Sequence, residues 1–214
     1  MIKKLPAEVK RTRTFKPGEA KELALAIPVW LRPIVVVALE SGLRRTNTVL
    51  LKKEWIHWDI NQIIIPPEFH KAGRRTGKPY IVDINATVRA GLRKTGRRSK
   101  SEYVLTEEDR KTPFSLYAVS VAFMKAAIKA GLKNLRFHDL RREFGTMVAK
   151  LTGSFVAAQE ALNVTPQTAR IYIQTTSEDA SEAFKAIETN GAGAVLSQIY
   201  HNGQKKRATD SVTH

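Results

Sequence analysis

The chain has 214 residues, 43% of them hydrophobic, which suits one ordinary domain with a buried core. Lys and Arg number 36 against 20 Asp and Glu, a formal net charge of +16, and no cysteine occurs, which excludes disulfides, thiol nucleophiles and Cys-ligated zinc and suggests a reducing compartment. The longest uninterrupted apolar run, Ile34 to Leu39, is far short of a membrane span, and no apolar stretch follows Lys3 and Lys4 as a secretory signal requires; the expectation is a cytoplasmic protein with no membrane partner.

Taken in chain order, residues 1–13 read as a basic segment or linker, 14–190 as one domain and 191–214 as a polar tail. Pro17 starts a predicted helix through Ala26, and Pro33 another that stops at Gly42. Thr46 to Leu51 reads as a short helix. The period then changes: Trp55–Trp58, Gln62–Ile65 and Tyr80–Val82 read as strands, with a basic loop from His70 to Lys78 before the third. Asn85 caps a predicted helix through Lys94, Ser115 one that ends at Gly131, and Asp139 to Leu151 forms one that ends near Gly153. Phe155–Leu162 is short and helical. Thr165 and Pro166 open a helix that holds Tyr172, and Ser177 caps a last one over Ala180 to Ile187. The fold class expected is mostly α with a small three-stranded antiparallel sheet.

The charge is concentrated. Residues 1–16 carry six cations against Glu8, and residues 71–100 carry ten against Asp83. Solvated charge runs are the plain explanation of such segments, but two dense basic patches on a folded domain are the electrostatic footprint of nucleic acid binding. A membrane surface would call for a basic amphipathic helix with an aromatic face, which neither segment has.

Two weak motifs fall away. Gly73-Arg-Arg-Thr-Gly77-Lys78 is one residue short of a phosphate loop, ends in Pro79 and precedes a strand. His138-Asp139 with His57 or His70 and Asp179 could be forced into a metal-dependent phosphohydrolase, but His57 sits in a strand where that chemistry needs facing helices. Neither a metal nor a cofactor is expected.

The informative pattern is a set of separated residues. His138 and Arg141 stand at i and i+3 at the start of a helix. Ser41-Gly42-Leu43-Arg44-Arg45 lies far upstream, Lys71 falls between in the basic hairpin, and Tyr172 follows Arg141. From about Arg13 to Ile187 the chain resembles the catalytic domain of the tyrosine recombinases, the phage-integrase family that shares its active site with type IB topoisomerases. Pro33 through Arg44 is similar to the segment with the family's first catalytic arginine, Lys71 matches the catalytic lysine with Lys78 as its substitute, Phe137-His-Asp-Leu-Arg141 resembles the H-x-x-R motif, and Arg170-Ile-Tyr172-Ile the nucleophile segment.

The resemblance implies a site-specific recombinase that cleaves and rejoins double-stranded DNA through a 3′-phosphotyrosyl intermediate, without metal or ATP, and that assembles as a homo-oligomer, a tetramer on DNA. Physical chemistry asks for the same residue types. Two guanidiniums, Arg44 and Arg141, meet the charge of a phosphodiester without a metal. A phenol with pKa about 10 is barely ionised at neutral pH, so attack by Tyr172 needs a proton acceptor and local positive charge, and His138 is the candidate acceptor or positioner. The leaving 5′ oxygen needs a proton, which the resemblance assigns to Lys71. Arg45, Arg74, Arg75, Lys78 and Arg142 are the candidate DNA contacts.

The sequence departs from the family pattern in three places. Relatives carry His or Trp in an L-G-H or L-N-H stretch before the tyrosine, where this chain has Leu162-Asn163-Val164, leaving Asn163 or Val164 at the phosphate contact. An acidic residue often stands three after the first arginine, and here it is Asn47. Relatives also grip DNA with a helical domain on the N-terminal side, so the chain is expected to be a fragment or an unusually small recombinase. A DNA-binding relative with impaired catalysis, and topoisomerase-like relaxation of DNA, are the alternatives.

Overall fold

The computed structural model describes residues 13–166 and 169. Its elements are helix α1 (Glu19–Ala26), α2 (Arg32–Ser41), α3 (Arg45–Val49), strand β1 (Ile56–His57), β2 (Gln62–Ile65), the single-turn helix α4 (Gly73–Thr76), β3 (Tyr80–Asp83), and helices α5 (Ala86–Arg98), α6 (Leu116–Lys129), α7 (Phe137–Thr152) and α8 (Phe155–Leu162). The architecture is mostly helical around one small sheet, as the sequence predicts.

Helix α2 is the central element. Its run Ile34–Leu39 is buried on every side because α5 and α7 pack against it. Each such aliphatic side chain taken out of water contributes roughly 1.5–3 kcal/mol. Pro33 presets the first turn, and Gly42 ends the helix in the left-handed region at φ 62°. Glycine is required at this position twice over, since a Cβ there would also stand 2.3 Å from a ring carbon of Phe144 on α7.

The three strands form one antiparallel sheet in the order β1-β2-β3, with Ile63 opposite Ile56 and Val82, and Ile65 opposite Tyr80. Period-2 alternation puts Ile63, Ile65, Tyr80 and Val82 in the core and leaves Ile81 exposed. β1 is only two residues long because Lys53–Trp55 coil into a 3-10 turn, so the predicted strand Trp55–Trp58 shortens at both ends.

Other boundaries move for local reasons. Residues 70–78 are not all loop: Gly73–Thr76 make one helical turn closed by Gly77 at φ 67°. Helix α5 continues past Lys94 to Arg98, with Arg97 and Arg98 favourably placed at the negative end of its dipole. α7 begins at Phe137, two residues before the expected start, because Asp139 caps it from the third helical position by accepting the Arg136 N–H at 2.8 Å. α8 has the boundaries read from the sequence. Beyond it, Ala169 N–H donates to Thr165 O at 3.0 Å. Tyr172 and the segment capped by Ser177 lie outside the described residues.

Candidate active site

Arg141 lies on α7 only 2% exposed. Its guanidinium donates to Gly42 O at the end of α2 and to Leu162 O at the end of α8, and Nη1 stands 3.4 Å from the Tyr80 hydroxyl on β3. One side chain therefore ties together the segment leading to Arg44, the sheet, and the turn holding Asn163 and Val164. These partners are all neutral oxygens. They satisfy donors without cancelling charge, so the centre of the domain keeps a desolvated cation to which an anion is attracted strongly.

Arg44 is the N-cap of α3, partly buried, two residues beyond Gly42. Three residues on, Asn47 is 4% exposed, and its Nδ2 donates to Phe69 O at 2.9 Å. A carboxylate cannot make that bond, which gives this departure from the family's acidic residue a structural reason. Arg45 is exposed and bonds through Nη1 to Ser120 Oγ on α6.

Lys71 is exposed in the β2–β3 connection, as are Arg74, Arg75 and Lys78. The turn they occupy is held from inside by His70, 2% exposed, whose ring lies 5.9 Å from that of Tyr80. The Gly73–Lys78 stretch is a helical turn followed by a left-handed glycine, not a phosphate loop.

His138 is the second residue of α7 and exposed, one turn from the inward-pointing Arg141. Partial desolvation of its ring, and then the charges of Arg141, Arg142 and Arg44, hold its pKa below the ordinary histidine range, with Asp139 opposing. The imidazole is consequently neutral at pH 7 and able to accept a proton. Burial and the charge of Arg44 push the His70 pKa down too. Arg44 thus acts electrostatically on both the Lys71 turn and the start of α7. Arg142 pairs with Asp139 at 3.1 Å, and Asp139, part of the His-Asp motif set aside above, caps α7 and holds Arg142.

Asn163 is the C-cap of α8 in the left-handed region, φ 45°, where Asn or Gly is favoured. This accounts for an Asn at the position independently of any phosphate contact. Val164 follows with its N–H bonded to Gln159 O at 3.2 Å. The predicted nucleophile Tyr172 lies outside the described residues.

Sequence reasoning missed Tyr80 and His70 as members of this cluster. The signal for Tyr80 was its inward strand register, since a buried tyrosine hydroxyl must find a partner; it donates to Ala161 O at 2.9 Å while receiving Arg141. The basic stretch 71–100 divides between the Lys71 turn and α5, where Arg89 and Arg93 lie 5.8 and 5.2 Å from the Trp58 ring. Among the described residues, no three His, Cys, Asp or Glu side chains are grouped to hold a metal ion, and no helix is long and apolar enough to cross a membrane.

The mostly helical frame around one small antiparallel sheet leads to the same class as comparison with known proteins does. The model of the phage integrase family matches residues 18–179, and the chain belongs to that family. The integrase of Salmonella phage P22 is 31% identical over 152 residues, covering 66% of this chain and 38% of that protein. Among solved structures, XerA recombinase superposes with a TM-score of 0.63 at 20% identity, covering 87% of this chain and 66% of that one. A lambda integrase tetramer bound to a Holliday junction gives 0.61 at 21% identity, covering 79% and 50%. The fold is that of tyrosine recombinase catalytic domains. The chain spans less than two thirds of the length of each of these relatives.

Proposed function

We propose that this chain is the strand-cleaving and strand-joining part of a site-specific DNA recombinase. The reading rests on the family, on the basic surface and above all on Arg141, a buried guanidinium held by neutral oxygens beside Arg44 and His138. The scissile phosphate is the anion that this arrangement suits.

In the reaction proposed, Arg44 and Arg141 bind the non-bridging oxygens, whose charge grows in the transition state. The Tyr172 oxygen forms a bond to phosphorus while the P–O5′ bond breaks. The phenolic proton passes to neutral His138, and the departing 5′ oxygen takes a proton from Lys71 Nζ. Asn163 or Val164 takes the place of the family's His or Trp beside the phosphate. The products are a 3′-phosphotyrosyl enzyme and a free 5′-hydroxyl. Because the ester is conserved in energy, a 5′-hydroxyl of another strand can reverse the step without ATP. Arg45, Arg74, Arg75, Lys78 and Arg142 contact the DNA backbone, and the active assembly is a homo-oligomer on DNA, as the lambda integrase tetramer on its junction suggests.

The test is to incubate the chain with a nicked duplex whose short 5′-hydroxyl fragment diffuses away, in EDTA and without ATP. A covalent protein–DNA adduct is expected. Tight DNA binding with no adduct would replace the enzyme by a DNA-binding relative. Relaxation of supercoiled plasmid without exchange between two marked duplexes would favour the topoisomerase reading.

A further inference from the structure

The turn that carries Lys71 is closed by a single side chain. Gly73 N–H donates to His70 Nδ1 at 3.0 Å, and His70 Nε2 lies 3.1 Å from Lys78 O. The first bond makes Nδ1 an acceptor, so the proton resides on Nε2 and is donated to Lys78 O. The ring therefore joins the two ends of the segment 73–78 in one neutral tautomer, a state that its burial favours. Gly73 is held to glycine by this closeness, since a Cβ would stand 2.4 Å from His70 Nε2 and 2.5 Å from Pro67 O.

The same clasp is anchored to the rest of the site on both sides. Asn47 Nδ2 fixes Phe69 O at 2.9 Å to the helix that starts at Arg44, and Phe69 packs on Trp55 with ring centroids 5.0 Å apart. On the other side His70 faces Tyr80, whose hydroxyl meets Arg141. The charged groups acting on the imidazole are Arg44 and Glu68. Lys71 itself is exposed and adjoins the clasp.

We propose that His70 is a positioning residue that sets the place of Lys71 relative to the arginine-bound phosphate by clasping Gly73 and Lys78, with Asn47 fixing the clasp to the Arg44 helix. The proposal rests on the recombinase reading, in which Lys71 protonates the leaving 5′ oxygen. It separates proton delivery from the rest of catalysis: loss of the clasp misplaces the acid and leaves the arginines and nucleophile in place.

The experiment uses the full chain and two nicked duplexes, one with the natural bridging 5′ oxygen and one with sulfur in its place. When the P–S bond breaks, the thiolate leaves without a proton. His70→Ala is expected to slow adduct formation about tenfold or more on oxygen and less than about threefold on sulfur, since a general acid contributes roughly 10²- to 10⁴-fold when placed well. Added to Lys71→Ala it should slow the oxygen substrate no further. His70→Gln, which keeps a donor toward Lys78, should recover part of the rate, and it carries the same comparison if His70→Ala does not fold. Equal slowing on both substrates, no slowing on either, or additivity with Lys71→Ala would overturn the clasp. A wild-type chain forming no adduct on either substrate would overturn the recombinase reading itself.

Discussion

Tyr80 and Arg141, 61 residues apart in the chain, meet with the tyrosine hydroxyl 3.4 Å from Nη1 of the guanidinium, and that hydroxyl donates in turn to Ala161 O at 2.9 Å. The strand thus supports the arginine, and the arginine supports the ends of α2 and α8.

Tyr80→Phe keeps the ring in the core and removes this bridge. Leaving a buried partner unsatisfied costs about 1–3 kcal/mol, and each kcal/mol lowers the midpoint of a chain this size by roughly 2–4 °C. Thermal unfolding should show that loss, and adduct formation should fall while DNA affinity holds. Unchanged Tm and rate would remove Tyr80 from the site.

Glu143 on α7 accepts the Phe15 N–H at 2.9 Å and secures the start of the domain, where Arg13 pairs with Glu19 at 2.7 Å. Burial raises its pKa, against the lowering effects of the Phe15 bond, Lys150 and Arg13. A carboxyl with a raised folded pKa loses stability as pH climbs from its unfolded value through the folded one. Glu143→Gln retains an acceptor without the charge, so its Tm at pH 7 should equal or exceed wild type. Glu143→Ala should lose about 1 kcal/mol, a drop of roughly 2–4 °C. Equal destabilisation by Gln and Ala would contradict this.

His70 and His138 give the opposite sign. Both folded pKa values lie below the ordinary one, for His70 through burial and Arg44, and for His138 through partial desolvation of its ring and then Arg141, Arg142 and Arg44. The unfolded chain binds these protons first, so their contribution is complete above about pH 6.5 and is lost as pH falls below it toward the folded values. Denaturant unfolding from pH 7.5 to 5 should show falling stability, reduced in His70→Gln. A flat profile in wild type would count against neutral, partly desolvated imidazoles.

The backbone binding proposed for the Lys71 turn would make affinity depend on salt. The logarithm of the binding constant should fall linearly with log salt, with a slope of about −0.9 per phosphate neutralised. Replacing exposed Arg74 and Arg75 by Ala should flatten the slope by nearly two such increments. An unchanged slope would make them solvated residues only.

Much of this frame was legible from local rules. Gly42, Gly131 and Gly153 mark helix ends because each takes a positive φ, and Ser154 caps α8 by accepting the Ala157 N–H. Arg44, Lys71, His138 and Arg141 stand out through the resemblance to the recombinase family, with the charge of a phosphodiester asking for the same residue types. The connections among them do not, because they are long-range and pass through backbone carbonyls that carry no sequence signature: Arg141 finds Gly42 and Leu162, and Asn47 finds Phe69. The role of His70 was hidden for a related reason, since a histidine in a basic stretch reads as surface until the turn closes around it.

The central claim is most directly tested by finding where DNA becomes attached. Adduct formed on the nicked duplex should, after proteolysis, yield a DNA-linked peptide carrying the modification on Tyr172, and Tyr172→Phe should bind DNA like wild type and form no adduct. An adduct on another residue, or one that persists in Tyr172→Phe, would contradict the account.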